Sequence, residues 1–124
     1  MKYILAIASL LLLSTPVFAT SDLMCTGEEY DVYMGVGVDR HGNGDVGFAS
    51  IKDKNTDKTT EFYSERIKTI DLKWLDGEED FSKNSMDVEL TQQSGETIKV
   101  TAKGRNGKLN FKSKSYTIDC DWEM

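Results

Sequence analysis

Histidine is almost missing from this chain: His41 is the only one. Zinc takes three or four ligands of Cys, His or carboxylate type. One histidine and two cysteines leave carboxylates to complete any such set. The same scarcity weighs against a His-activated nucleophile, which needs a hydroxyl or thiol within reach of an imidazole that a third group orients. No Walker loop, GxGxxG, GxSxG or HExxH occurs, and no N-glycosylation sequon. These gaps remove the common signatures of nucleotide binding, serine hydrolysis and zinc proteolysis.

Long apolar runs are missing too. The longest, Ile4 to Leu13, is half the roughly 20 residues that a membrane-spanning helix needs. It follows Lys2 and precedes Ser14-Thr15-Pro16 and the small-residue ending Val17-Phe18-Ala19. A basic start, a short apolar stretch and an A-x-A-like end predict a secretory signal peptide over residues 1–19, cut after Ala19. Asp22-Leu23-Met24 before Cys25 lacks the small residue of a lipoprotein signal. The expected product is a single β domain over 20–124, exported to the periplasm or the extracellular medium, with no membrane insertion after cleavage.

Cysteine is scarce, and its placement is informative. Cys25 and Cys120 stand near opposite ends of the mature chain. In an exported protein an even pair predicts a disulfide. Closing nearly the whole chain into one loop is valued at about 4.7 kcal/mol by the chain-entropy model. Total stabilities run at about 5–15 kcal/mol, so that is a large share. Without a CxxC or a third thiol, the bridge reads as structural. Positive charge is in deficit as well. Loss of the leader removes only Lys2, leaving 14 basic and 21 acidic side chains and a net charge of −7. That balance argues against nucleic acid and anionic membranes as partners and is compatible with a basic protein.

A helical stripe is absent beyond a turn or two over Glu61 to Lys68. Period-two alternation is present almost everywhere. Tyr30, Val32, Met34, Val36 and Val38 alternate with polar or small residues, the mark of a half-buried strand. The pattern returns in Ile70-Leu72-Trp74, Met86-Val88-Leu90, Ile98-Val100-Ala102, Leu109-Phe111 and Tyr116-Ile118-Cys120-Trp122. Val46 to Ile51 carries apolar residues on both parities, which predicts a bulge, and Thr59 to Tyr63 is a further strand. Seven to eight short strands predict an all-β fold, a small antiparallel β-sandwich or barrel ending in a C-terminal meander. The disulfide then joins first and last strands. Asn106-Gly107 predicts a two-residue turn setting Ala102 opposite Phe111. Gln93-Ser94-Gly95 predicts a three-residue loop setting Leu90 opposite Ile98 and Glu89 opposite Lys99. A turn at Lys114-Ser115 sets Phe111 opposite Ile118 and Lys108 opposite Asp121.

Few segments suggest chemistry. "DRHGNGD" (39–45) overlays part of an EF-hand loop, with Asp39, Asn43 and Asp45 as oxygen donors. It fails where His41 replaces an acid or amide and Ser50 replaces the bidentate glutamate. Its glycines and short polar side chains are fully explained by a hairpin turn, so no metal site is assigned. The acidic stretch Asp76, Glu78, Glu79 and Asp80 reads as a solvated loop or as a docking patch for a basic protein. Lys99, Lys103, Lys108 and Lys112 line the solvent face of one predicted hairpin, a basic ribbon that cross-strand acids also explain. Most aromatics fall at inward parity and fill a core. Tyr33 points outward and is the contact residue to watch.

Fold class alone assigns no function. The leading expectation is a non-catalytic binding or inhibitory protein, acting through its sheet surface and loops on a protein partner, and needing no cofactor. The alternative is a small-ligand carrier with an apolar barrel interior lined by Met34, Met86 and the inward aromatics. A hydrolase using surface carboxylates ranks last, because that chemistry needs a cleft between paired acids.

Overall fold

Alternating apolar residues fold into a single sheet of nine antiparallel strands in the computed structural model, which describes residues 19–75 and 81–123. One meander contains β1 (Ala19–Gly27), β2 (Tyr30–Val38), β3 (Gly44–Asp53) and β4 (Lys58–Tyr63). A second contains β5 (Ile67–Lys73), β6 (Ser85–Thr91), β7 (Thr97–Lys103), β8 (Asn106–Phe111) and β9 (Lys114–Glu123). Pairing of β1 with β9 fuses them in the order β4-β3-β2-β1-β9-β8-β7-β6-β5. The sheet then curls until β3 meets β5. There the Val46 amide donates to Thr69 Oγ1 at 3.0 Å and the Trp74 amide to the Gly42 carbonyl at 2.8 Å. Asn43 and Lys73 add one antiparallel bridge. A Cβ on Gly44 would run into Leu72 Cδ2, so glycine lets the strands approach without displacing that side chain. The architecture is a nearly closed barrel.

Inward parity builds the core. Val32, Met34, Val36 and Val38 of β2 are buried, as are Met86, Val88 and Leu90 of β6 and Ile98 and Val100 of β7. Trp74 and Trp122 meet edge to face inside the barrel, with centroids 5.1 Å apart. The Trp122 indole N–H donates to the Gly104 carbonyl at 2.7 Å, satisfying its one polar atom. Cys25 and Cys120 stand opposite each other on β1 and β9, disulfide-bonded and fully buried. The bridge thus joins the first and last strands.

Nine strands form where seven or eight were expected, because Leu23 and Cys25 alternate within β1 as well. The bulge expected within Val46 to Ile51 is present: Val36 pairs with Val46 and Gly35 with Phe48, leaving Gly47 as the extra residue. A second bulge was not foreseen. Thr69 pairs with Val88 and Asp71 with Asp87, so Ile70 drops out of register and is 47% exposed instead of sharing a face with Leu72 and Trp74. The helical segment is a single 3₁₀ turn, Ser64–Arg66.

Of the three C-terminal turns, one stands as expected and two move. Leu90 pairs with Ile98 and Glu89 with Lys99 around Gly95, whose φ is 92°. Asn106-Gly107 is not a turn. Lys103 pairs with Asn106 and Ala102 with Gly107, so the turn falls on Gly104-Arg105, with Gly104 at φ 59°. Gly107 serves packing instead: a Cβ there would sit 2.8 Å from Cys120 Sγ. Likewise Phe111 pairs with Lys114 around Lys112 and Ser113, both at positive φ, and Lys108 pairs with Thr117, not Asp121. Both displacements are even in register, so the side chains that remain in strands keep their expected faces, while Lys112 leaves its strand for the turn.

Candidate functional site

Two adjacent cross-strand rows on the outside of β9-β1-β2-β3-β4 carry the most distinctive surface. The register sets Asp121, Met24, Tyr33, Ser50 and Glu61 in one row. Glu123, Asp22, Gly35, Phe48 and Tyr63 make the next. Apolar groups occupy the middle of the surface: Met24 is 45% exposed, Tyr63 is 54% exposed, and Tyr33 and Phe48 are half-buried. The Phe48 ring lies 6.1 Å from Tyr33 and 5.4 Å from Tyr63, tilted by 58° and 61°. Beside these rings the sheet is bare. An added Cβ would meet nothing within 4 Å at Gly37 or Gly47, and at Gly35 only Phe48 Cβ at 3.8 Å.

Acids surround this apolar strip. Asp119, Asp121 and Glu123 face outward from β9, Asp22 from β1, Asp31 from β2, Asp45 from β3 and Glu61 from β4, against Lys52 alone. Three cations at the margin are already engaged: Lys52 with Asp57 at 3.1 Å, Lys54 with Asp31 at 3.7 Å and Arg105 with Asp119 at 3.2 Å. Tyr33 is fixed by its hydroxyl, which donates to Asp22 Oδ1 at 2.7 Å. That bond, followed by partial burial, holds the phenol above its ordinary pKa.

The other expected sites fall elsewhere. "DRHGNGD" is the β2–β3 hairpin loop. Asp39 Oδ1 accepts the amides of His41 at 2.9 Å and Asn43 at 3.0 Å. The Asn43 amide, with His41 behind it, holds the Asp39 carboxyl below its usual value. Asn43 Oδ1 accepts a short hydrogen bond from Lys73 Nζ, and His41 is exposed. Asp39 and Asn43, two of the three donors proposed for a cation, are thus placed by the turn, and Asp45 stands at the start of β3. Asp76, Glu78, Glu79 and Asp80 lie outside the described residues.

Three of the four ribbon lysines do share the outer face of the β7–β8 hairpin. Lys99 lies between Glu89 and Asn110 and makes a 3.7 Å ion pair with Asp87. Lys103 sits between Ser85 and Asn106, and Lys108 between Thr101 and Thr117. Lys112 stands in the β8–β9 turn at φ 52°, with its ammonium 5.1 Å from the Phe111 ring centroid. The lysines therefore mix with amides, hydroxyls and acids, whereas the opposite face is acidic and aromatic.

Inside the barrel, side chains fill the space where the carrier reading would put a ligand: Met34 and Met86 are buried among the other core residues. An opening of about 180 Å³ remains at one mouth, floored by Ile51, Ile98, Leu109 and Phe111 and rimmed by Lys58 and Lys112.

Parity missed most of the outer strip. Phe48 has the parity of buried Val46, and only the extra residue Gly47 turns it outward. Tyr63 follows buried Phe62, so either ring suited the core. Met24 was legible, because it falls between inward Leu23 and Cys25. No protein-family model, no curated protein and no solved structure matches the chain.

Proposed function

We propose that this is a small, exported, non-catalytic binding or inhibitory protein whose outer β9-β1-β2-β3-β4 face engages a protein partner. The observation that carries the reading is the exposed strip Met24–Tyr33–Phe48–Tyr63 beside three outward glycines. Glycine within a strand costs roughly 0.5–1 kcal/mol relative to alanine. Packing and positive φ give no reason for it at Gly35 or Gly37, whereas Gly47 is the extra residue of the β3 bulge. What the glycines provide is a flat backbone surface next to aromatic rings, as a close-fitting partner needs. The rings bring large contact area at low entropic cost, the usual make-up of binding hot spots. The disulfide supports an oxidising compartment, in line with the leader over 1–19.

Affinity capture tests the reading. The oxidised 20–124 chain is immobilised and exposed to extracellular and periplasmic extracts, beside a Tyr33→Ser/Phe48→Ser/Tyr63→Ser variant and a Lys99→Glu/Lys108→Glu variant. A partner retained by the parent and the lysine variant, and lost by the aromatic variant, is the expected result. Retention by all three, or by none, would count against the face. A second reading, a small-ligand carrier, draws on the mouth opening of about 180 Å³. Small-molecule sites usually occupy about 300–1,000 Å³, more than this opening. Two clefts of that size, about 780 Å³ beside Tyr30 and Tyr116 and about 730 Å³ beside Tyr63 and Gln92, are open surface grooves rather than the apolar interior that the carrier reading needs.

A further inference from the structure

Resting on that reading, we infer that the partner presents a cationic, arginine-bearing segment, laid across β9-β1-β2-β3-β4 with its guanidinium groups over the Tyr33–Phe48–Tyr63 rings. Charge decides the sign. Asp22, Asp45, Glu61, Asp121 and Glu123 stand on or beside the aromatic rows, and none of them makes an ion pair among the described residues. One row runs from Asp121 to Glu61, and the other from Glu123 and Asp22 to Tyr63, so carboxylates stand at the β9 end of both rows and Glu61 stands two residues from Tyr63 on β4.

Ring geometry decides the chemistry. A flat, crystalline polysaccharide surface stacks on rings that share one plane, and these are tilted to each other by 58° and 61°. Tilted rings leave separate faces, over each of which a planar guanidinium can lie while its N–H groups reach a neighbouring carboxylate. The bare backbone at Gly35 and Gly37, adjoining Asp22 and Asp45 in register, gives such a side chain room to lie flat. Length follows from strand spacing. Five strands span roughly 19 Å across, the reach of about six extended residues.

The probes are synthetic octapeptides, octa-arginine, octa-lysine and octa-glutamate, with a neutral linear hexasaccharide as the polysaccharide control. Each is titrated into ¹⁵N-labelled oxidised protein at low salt, and backbone amide shifts are followed. Octa-arginine is expected to shift the amides of Met24, Tyr33, Gly35, Phe48 and Glu61 and to leave β6–β8 unmoved. It should bind several-fold tighter than octa-lysine and weaken at least tenfold in 0.5 M salt, where screening shortens charge attraction. Asp22→Asn/Glu61→Gln/Glu123→Gln should cut affinity at least tenfold, and Tyr33→Ser/Tyr63→Ser should abolish the preference for arginine. These positions are at the surface, and the thermal midpoint of each variant verifies folding.

Shifts spread evenly over all acidic patches would mean diffuse attraction and would overturn the inference. So would equal arginine and lysine affinities, or the hexasaccharide shifting these amides when octa-arginine does not. If the capture experiment loses its partner with the aromatic variant while octa-arginine fails, the cationic assignment falls and the binding face stands. If capture shows no dependence on the aromatic face, both fall.

Discussion

Two strand glycines, Gly107 of β8 and Gly37 of β2, show how different one residue type can be. At Gly107 an added Cβ would press to 2.8 Å from both Cys120 Sγ and Ile118 Cγ1. At Gly37 it would touch nothing within 4 Å. Gly107→Ala should therefore cost about 1–3 kcal/mol through overpacking beside the disulfide. Gly37→Ala should be neutral or stabilising by up to about 1 kcal/mol, because strand backbone gains from a Cβ that meets no obstacle. Guanidinium unfolding of both oxidised variants reads the difference, and equal midpoints would contradict it. If Gly37→Ala also weakens partner binding, that glycine is kept for contact at the expense of stability. Side-chain parity was largely legible, since Val32, Met34, Val36 and Val38 all face inward as alternation requires. It failed at Ile70 and Phe48, one out of register itself and the other following an extra residue. Apolar residues on both parities betrayed the β3 bulge without saying which ring it turns outward, whereas the β5 bulge is settled by its pairing with β6 and leaves no such mark.

Turns show the same limit at the scale of the element. The loop over 39–45 was readable as a hairpin because Asp39 binds amides two and four residues ahead, a purely local device. That device titrates. The native Asp39 carboxyl lies below its ordinary value of 3.8, chiefly through the Asn43 amide. Its contribution is therefore complete above about pH 4 and is lost as pH falls through the depressed native value. Asp39→Asn keeps an acceptor oxygen without the charge. The variant should be less stable than the parent at about pH 6, with the gap closing at about pH 2. Urea midpoints across that range test the sign, and a constant gap would rule it out. The turns at Gly104-Arg105 and Lys112-Ser113 were less legible. Asn106-Gly107 is a strong local turn signal, but the contact of Gly107 with a cysteine on the next strand overrides it. At this hairpin tertiary packing outweighs local propensity.

At the scale of the whole molecule, the barrel has two unequal seams. Along β1 and β9 six residue pairs run from Asp22–Glu123 to Gly27–Ile118, with the disulfide among them. Along β3 and β5 closure rests on the Val46–Thr69 and Trp74–Gly42 hydrogen bonds, the Asn43–Lys73 bridge and the bare Gly44. The disulfide thus reinforces the seam that already has a ladder. Its larger effect is expected in the unfolded chain, where it ties together residues 95 apart. Cys25→Ala/Cys120→Ala should keep the barrel and lose about 2–5 kcal/mol of unfolding free energy, read from guanidinium midpoints. Full burial of both sulfurs adds a kinetic consequence. Dithiothreitol can reach the bond only when the β1–β9 seam opens, so native reduction should be slow and should speed up steeply with denaturant. Hydrogen exchange on the same protein should be slowest in β1, β2 and β9 and fastest in β4, which pairs on one side only. Rapid reduction in native buffer, with β1 and β9 amides exchanging as fast as β4, would place the weak seam at the disulfide and reverse the ranking of the two seams. The outer aromatic face spans β9-β1-β2-β3-β4 and crosses the β1–β9 seam, so its geometry would then rest on a mobile seam rather than a rigid one. Retained slow exchange is accordingly what a preformed binding surface requires.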